Sequence, residues 1–281
     1  MPPIIDIKNL YFTYLPGSPY ERQALKNINF SLETGELLGI FGPNGSGKST
    51  LVQHLNGLLL PSSGIVKVCN TDTADSKSRH ELWKKVSLVF QYPEQQIFQT
   101  TVYDEIAYGP RNLGISEAEV QARVTAAMEK VELDPKSISG WAPYSLSGGM
   151  KRRVAIAGLL ALNPEILVLD EPMAGLDPLG RRLILDMIKS RHDKNETTVM
   201  ISHNLKDIMA LADKIAILDQ GSLLYFGTVA QLLENKDLLS HYRLELPQYL
   251  QLVYTLADKG FAMKADVSNM AEAGKAIARM L

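Results

Sequence analysis

The residues with the plainest chemical purpose are Gly42-Pro43-Asn44-Gly45-Ser46-Gly47-Lys48-Ser49-Thr50, which follow the apolar run Leu37-Leu38-Gly39-Ile40-Phe41. The glycines let the backbone curl so that successive N–H groups face inward, and a helix starting near Lys48 turns its positive end the same way. Together these make a cradle for the phosphates of a nucleotide. Lys48 can reach the β and γ phosphates, the Ser49 hydroxyl can hold Mg²⁺, and Thr50 can add a phosphate contact. A glycine-rich turn joining a strand to a helix is the alternative, and the structured flanks on both sides count against it.

Other polar residues stand where apolar strands end. Ile166-Leu167-Val168-Leu169 runs into Asp170-Glu171, at the carboxyl end of a strand, where parallel sheets place ligands. Asp170 can bind Mg²⁺ through its water shell opposite Ser49, and Glu171 can orient or polarise the water that attacks the γ phosphate. His203 closes Val199-Met200-Ile201-Ser202-His203 and can hydrogen-bond a γ-phosphate oxygen. Gln91 ends a strand of its own and offers its amide oxygen to Mg²⁺ or to the attacking water. Any one of these has a structural explanation; together, beside a phosphate loop, they are harder to explain that way. Tyr14, ending the strand from Ile4, could stack on an adenine or simply sit at a strand edge, and local pattern leaves both open.

Leu146-Ser147-Gly148-Gly149 is a second glycine-bearing helix start able to bind an anion. One ATP needs one such cradle. The economical explanation is that the second serves a nucleotide held by another copy or by a sister subunit, so that two chains sandwich two ATPs. A glycine-rich helix cap is the competing reading.

The elements that must position these residues alternate. Strands are expected at Ile4–Tyr14, Asn27–Glu33, Val66–Val68, Val86–Phe90, Ile166–Leu169, Thr197–Ile201 and Lys214–Leu218, with helices between the later ones. This predicts an α/β fold built on a mostly parallel sheet. Residues 92–162 lack a convincing strand; Ser116 to Val131 is rich in Ala, Glu, Gln, Arg and Met, and Ser147 is placed to cap a helix with Val154 to Leu162 packed inside. That segment reads as a helical insertion. From 228 to 281 come helical patterns broken by Pro247 and Gly260, expected to form a small appendage.

The chain of 281 residues is 46% hydrophobic, enough for a substantial core, and its 29 Lys plus Arg balance 31 Asp plus Glu, giving no electrostatic signature of a nucleic-acid partner. The single cysteine, Cys69, cannot form an intrachain disulfide, which fits a reducing compartment. Met1-Pro2-Pro3-Ile4-Ile5-Asp6 lacks the basic and apolar regions of a secretory signal, and no apolar run approaches the roughly 20 residues of a membrane span, so a partner is expected to supply any membrane anchorage.

On these residues, from about 4 to 227, the chain resembles the ATPase subunits of ABC transporters, a P-loop NTPase fold with an antiparallel N-terminal β part. The resemblance implies that Tyr14 stacks on adenine, that Gly42 to Ser49 form the Walker A loop, and that Gln91 is the Q-loop glutamine. It further implies that Leu146 to Gly149 are the signature motif, Asp170 and Glu171 the Walker B pair, Asp177 in Ala174-Gly175-Leu176-Asp177 the D-loop aspartate, and His203 the switch histidine. ATP and Mg²⁺ follow as the implied ligands, and ATP hydrolysis in a closing and opening dimer as the activity.

Phe90-Gln91-Tyr92-Pro93-Glu94-Gln95-Gln96-Ile97-Phe98, Tyr108-Gly109-Pro110-Arg111-Asn112 and Arg153-Val154-Ala155-Ile156-Ala157-Gly158 narrow the resemblance to the energy-coupling factor group, which powers uptake of vitamins and transition-metal ions. Tyr20 to Leu25 and Met150-Lys151-Arg152-Arg153 are similar to the second of its two ATPase types. The implied partners are a second ATPase subunit, the same or different, paired through the tail, a transmembrane coupling subunit gripped near Gln91, and a substrate-binding membrane subunit. The implied location is peripheral, on the cytoplasmic side of the cell membrane. Met150 departs from the usual glutamine of the signature. A soluble mechanical ATPase of the same type is the alternative, although such chains resemble paired cassettes or carry a long coiled coil, and this one has neither. A nucleotide-binding regulator without turnover is a third reading, against which Glu171 and His203 argue.

Overall fold

The computed structural model describes residues 2–235, 238–239, 248–259 and 270–278. In chain order its strands are β1 (Ile5–Tyr14), β2 (Arg22–Leu32), β3 (Leu37–Phe41), β4 (Ser63–Val68), β5 (Thr71–Asp72), β6 (Val86–Val89), β7 (Ile166–Asp170), β8 (Thr197–Ile201), β9 (Lys214–Asp219) and β10 (Ser222–Thr228). They form one ten-stranded sheet in the order β5-β4-β1-β2-β10-β9-β3-β8-β7-β6. Strands β9, β3, β8, β7 and β6 run parallel, while β1 pairs antiparallel with β2 and β4, and β10 with β9.

The parallel strands are short and buried on both faces, as strands covered on each side by helices must be. Because successive side chains alternate, each strand feeds two cores. Leu37, Leu167, Leu169, Met200, Ile215 and Ile217 enter one core with the helices α4 (Val102–Asn112), α5 (Glu117–Lys130), α7 (Gly148–Leu160) and α8 (Pro178–His192). Leu38, Ile40, Ile166, Val168, Val199, Ile201, Ala216 and Leu218 enter the other, with Leu51, Val52 and Leu55 of α1 (Lys48–Leu55), Leu82 of α3 (Leu82–Lys85), which follows the short α2 (Ser76–Arg79), and the N-terminal strands. Parity therefore decides chemistry: Asp170 follows Ile166 and Val168 on the α1 side of the sheet.

Four features of the sheet depart from the sequence expectation, the first being that β4 begins at Ser63, three residues before Val66, its exposed first residues becoming strand by pairing with β1. β2 begins at Arg22, five residues before Asn27, because its polar first residues pair with the end of β1, Tyr14 opposite Arg22 and Thr13 opposite Gln23. β10 is an additional strand with no fully buried face, formed by pairing with β9 across a bulge. β5 is a two-residue edge strand held by β4.

The expected helical stretch holds α4, α5, α6 (Pro135–Ile138) and α7, with no strand between β6 and β7. Thr101, Ser116, Asp134 and Ser147 accept backbone N–H bonds as N-caps of α4, α5, α6 and α7, each contributing about 1 kcal/mol. After β10, Thr228 and Gln231 make a reciprocal capping box at the start of a six-residue helix, Val229–Glu234, whose Leu232 and Leu233 are buried in the larger core. Helices Gln248–Asp258 and Met270–Ala278 meet through Val253 and Ala273, with Tyr249 against them. Pro247 and Gly260 lie outside the described residues.

Candidate nucleotide site

The turn from β3 to α1 needs its glycines. At Gly42, with φ of +154°, a Cβ would sit 2.1 Å from the Leu218 carbonyl oxygen; at Gly47, with φ of +103°, it would sit 2.8 Å from that of Ala24. No side chain fits at either position, so the loop is held against β9 and β2, and its own Ser46 amide donates to the Pro43 carbonyl at 3.2 Å. Ser46 is buried inside the turn, its hydroxyl without a hydrogen-bond partner among the described residues. The Lys48 ammonium folds back over the loop and donates to the carbonyls of Gly42 (2.8 Å) and Pro43 (2.9 Å). Burial lowers its pKa, while the nearby carboxylates of Glu171 and Asp170 act in the opposite direction.

Above this loop lies a cavity of about 660 Å³, of a size suited to a nucleotide. Its lining brings together Tyr14, Asn44, Gly45, Gly47, Lys48, Ser49, Thr50, Gln91, Asp170, Glu171 and His203, residues contributed by widely separated segments. Gly42 and Ser46 lie beneath it as supports. Tyr14 stands at the mouth, its hydroxyl 3.1 Å from the Thr50 hydroxyl and its ring edge-on to Phe12. Arg22, Ala24 and Ala174 also line the cavity, and Arg22 Nη2 reaches the Gly45 carbonyl at 3.4 Å. Arg22 is a residue that strand spacing alone does not bring to the site, because its position depends on the pairing of β1 with β2.

Asp170 is buried, which raises its pKa; a hydrogen bond from Ser49 and the Lys48 charge partly offset that burial. The Ser49 hydroxyl and Asp170 carboxylate thus face each other across the loop. Among the described residues no group of three or more His, Cys, Asp or Glu could hold a metal ion. A hydroxyl, a carboxylate and the Gln91 amide oxygen beside a phosphate cradle nevertheless suit Mg²⁺, which binds through few protein oxygens and completes its octahedron with phosphate and water.

Glu171 adopts a left-handed backbone conformation, φ of +50°, directly after β7. This turns its side chain away from the strand's alternation toward His203, whose Nδ1 lies 2.7 Å from Glu171 Oε2. A carboxylate accepts, so Nδ1 carries the proton and Nε2 is left to face outward. Glu171 is nearly covered at 13% side-chain exposure, while His203 is open at 72%.

Ser147, Gly149 and Asp177 do not join this cavity. They line another, of about 390 Å³, with Met150, Arg153, Gly175 and Leu176 among its walls. Ser147 caps α7 by accepting from the Met150 amide, and Asp177 caps α8 by accepting from the Gly180 amide at 2.7 Å. A Cβ at Gly148 or Gly149 would meet nothing within 4 Å, and neither residue has a positive φ. Nothing among the described residues calls for glycine there. Met150 is half-buried and packs against the larger core.

A parallel sheet with a phosphate loop after β3, a carboxylate pair at the end of β7 two places away, and a second, open glycine-bearing helix start defines an ATP-binding cassette. The chain belongs to the ABC transporter family, whose model matches residues 25–174, and members bind and hydrolyse ATP. It is 47% identical to the energy-coupling factor transporter ATP-binding protein EcfA2 of Caldanaerobacter subterraneus subsp. tengcongensis, over 99% of this chain and 97% of that protein. To the EcfA2 of Clostridium perfringens it is 43% identical, over 99% and 98%. Among solved structures it resembles CbiO1 of Clostridium perfringens, part of the ABC transporter complex CbiONQ, with a TM-score of 0.74 and 32% identity over 88% of this chain and 97% of that one. It also resembles MJ0796, solved as a dimer in a post-hydrolysis state with ADP and phosphate, with a TM-score of 0.71 and 29% identity over 80% and 98%.

Proposed function

We propose that this chain is the ATP-binding and ATP-hydrolysing subunit of an energy-coupling factor importer, driving uptake of vitamins or transition-metal ions by closing around ATP with a second ATPase subunit. The observation that carries the reading is the gathering of Tyr14, Lys48, Ser49, Gln91, Asp170, Glu171 and His203 around one cavity. In it the adenine lies against Tyr14. The amides from Asn44 to Gly47 and the charge of Lys48 hold the phosphates, with Thr50 adding a contact. Ser49, Asp170 and Gln91 are the residues that would hold Mg²⁺, which when bound offsets the negative charge on the β and γ phosphates. Glu171 orients the attacking water and accepts its proton. His203 donates from Nδ1 to that carboxylate and keeps it aimed; to bond a γ-phosphate oxygen, Nε2 must carry the second ring proton, since without it both atoms accept.

Ser147, Gly148 and Gly149 then serve the ATP of the partnering subunit, another copy or a sister chain, with Asp177 at the seam. Their open surroundings support this, since glycine there leaves room for something from outside the chain. Residues 1–227 form the ATPase domain, 92–162 its helical subdomain, and 228–281 an appendage that helps pair the two ATPases. Among the described residues no helix is long and apolar enough to cross a membrane. The chain works peripherally, on the cytoplasmic side, beneath a transmembrane coupling subunit and a substrate-binding membrane subunit. Solubilised from its own membranes through a tag, it should bring down an integral membrane protein and hydrolyse ATP. Glu171→Gln should keep ATP binding and lower turnover by at least about 100-fold. Wild-type turnover in that variant removes Glu171 from its role, and capture of no membrane protein overturns the importer reading.

A further inference from the structure

On the inner face of α7, one turn beyond Ser147, Arg152 is 3% exposed, and the catalytic steps above make no use of it. Its guanidinium is tied to two segments far away in sequence. Nη2 donates to the Gln91 carbonyl at 2.6 Å, Nε donates to Glu94 Oε2 at 3.2 Å, and the guanidinium carbon lies 6.0 Å from the centre of the Tyr92 ring. The remaining arm, Nη1, donates to the carbonyl of Ala174. Ala174 in turn closes the turn that sets Glu171, its amide donating to the Glu171 carbonyl at 3.1 Å. Among the described residues, Glu94 is the carboxylate paired with this buried cation.

We propose that Arg152 is a positioning residue that yokes the Gln91 loop and the turn after Glu171 to the helix carrying Ser147 and Gly149, so that the three move together when the site closes. The inference rests on the roles given above to Gln91 and Glu171. The guanidinium is suited to this because its donors leave in fixed, divergent directions within one plane, so three anchors on two separate segments are held at set angles; an ammonium has no such fork. Gln91 and Glu171 face the first cavity, whereas α7 begins at the second. A rigid tie between them passes the seating of a partner's nucleotide on Ser147 and Gly149 to the groups that act on this chain's own ATP. The loop from Gln91 to Glu94 also lies in the stretch assigned to the membrane partner, so the same tie reaches the coupling surface.

The test uses the assembled transporter carrying Arg152→Met or Arg152→Lys, with Glu171→Gln prepared in parallel. Arg152→Met should lower kcat by about 10- to 100-fold, the cost of misplacing catalytic groups by about an ångström, with KM for ATP within about threefold of wild type. Arg152→Lys, which keeps the charge beside Glu94 without the fork, should fall between the two. More ATP should be consumed per substrate molecule imported in both. If Arg152→Met does not fold, the Lys variant carries the same test through its coupling ratio. Unchanged kcat and coupling in a folded variant overturn the proposal. So does a loss that follows the melting temperature alone, or a Lys variant indistinguishable from wild type. An active Glu171→Gln places the fault instead in the reading of the site.

Discussion

Gly149 offers a perturbation in which the fold and the activity should part company. It is the second residue of α7, with helical backbone and no atom within 4 Å of where a Cβ would stand. Gly149→Leu therefore starts its side chain in open space beside the second cavity, with no described residue against its Cβ. Its intrinsic effect on the helix is stabilising by at most about 1 kcal/mol, which for a domain of this size raises Tm by no more than roughly 2–4 °C. ATP binding to the isolated chain should be unchanged, since Gly149 belongs to the second cavity and not to the one with Lys48. Against a partner's nucleotide the effect is large. A phosphate oxygen bonded to the Gly149 amide sits about 2.9 Å from that nitrogen, and a branched side chain beside it fills the space through which the nucleotide must approach. Loss of one hydrogen bond to a charged group costs about 1.5–3 kcal/mol, so turnover should fall at least about 10- to 100-fold. The assay is steady-state ATPase of the assembled complex, beside calorimetric ATP binding and thermal melting of the isolated chain. Turnover within about threefold of wild type refutes the reasoning. So does a loss of turnover accompanied by loss of binding in the isolated chain.

Lys48→Ala removes the charge that caps the loop carbonyls and, in the proposed complex, contacts the β and γ phosphates; ATP affinity should fall about 10- to 100-fold by calorimetry, and an unchanged affinity would contradict the role. Cys69 is buried and its thiol pKa is pushed up to about 12, first by burial and then by Glu165, so the neutral thiol persists through physiological pH. At pH 8 roughly one molecule in ten thousand then carries the thiolate, and iodoacetamide should label the native protein only at the pace of unfolding. Stoichiometric labelling within minutes, followed by mass spectrometry without denaturant, would show the thiol to be open.

The parts of the fold legible in the sequence are those where local pattern and tertiary environment agree. Ile166 to Leu169 is apolar at every position because both faces of β7 are covered, and the first polar residue after it, Asp170, marks the strand's functional end. Ser147 announces its helix because an N-cap is a local bond to the amide three residues on. Less was legible where pairing is non-local. The start of β2 is polar and becomes strand only against β1, which is what carries Arg22 to the cavity. β10 has no apolar face of its own to declare it. The partners of Arg152 lie 22 to 61 residues away, and only the folded chain shows that a cation on α7 bonds to the backbone of Gln91. The division of the predicted residues between two cavities is likewise a property of topology.

The central claim is that this chain holds half of each site and that ATP completes it by bringing a second ATPase subunit. Sedimentation velocity of Glu171→Gln, alone and mixed with that subunit, with and without Mg²⁺ and ATP, tests it most directly. A compact pair should form with ATP, persist because hydrolysis is blocked, and fail to form when Gly149→Leu is added. A sedimentation profile that ATP does not change, with binding of ATP confirmed in the same sample, would contradict it.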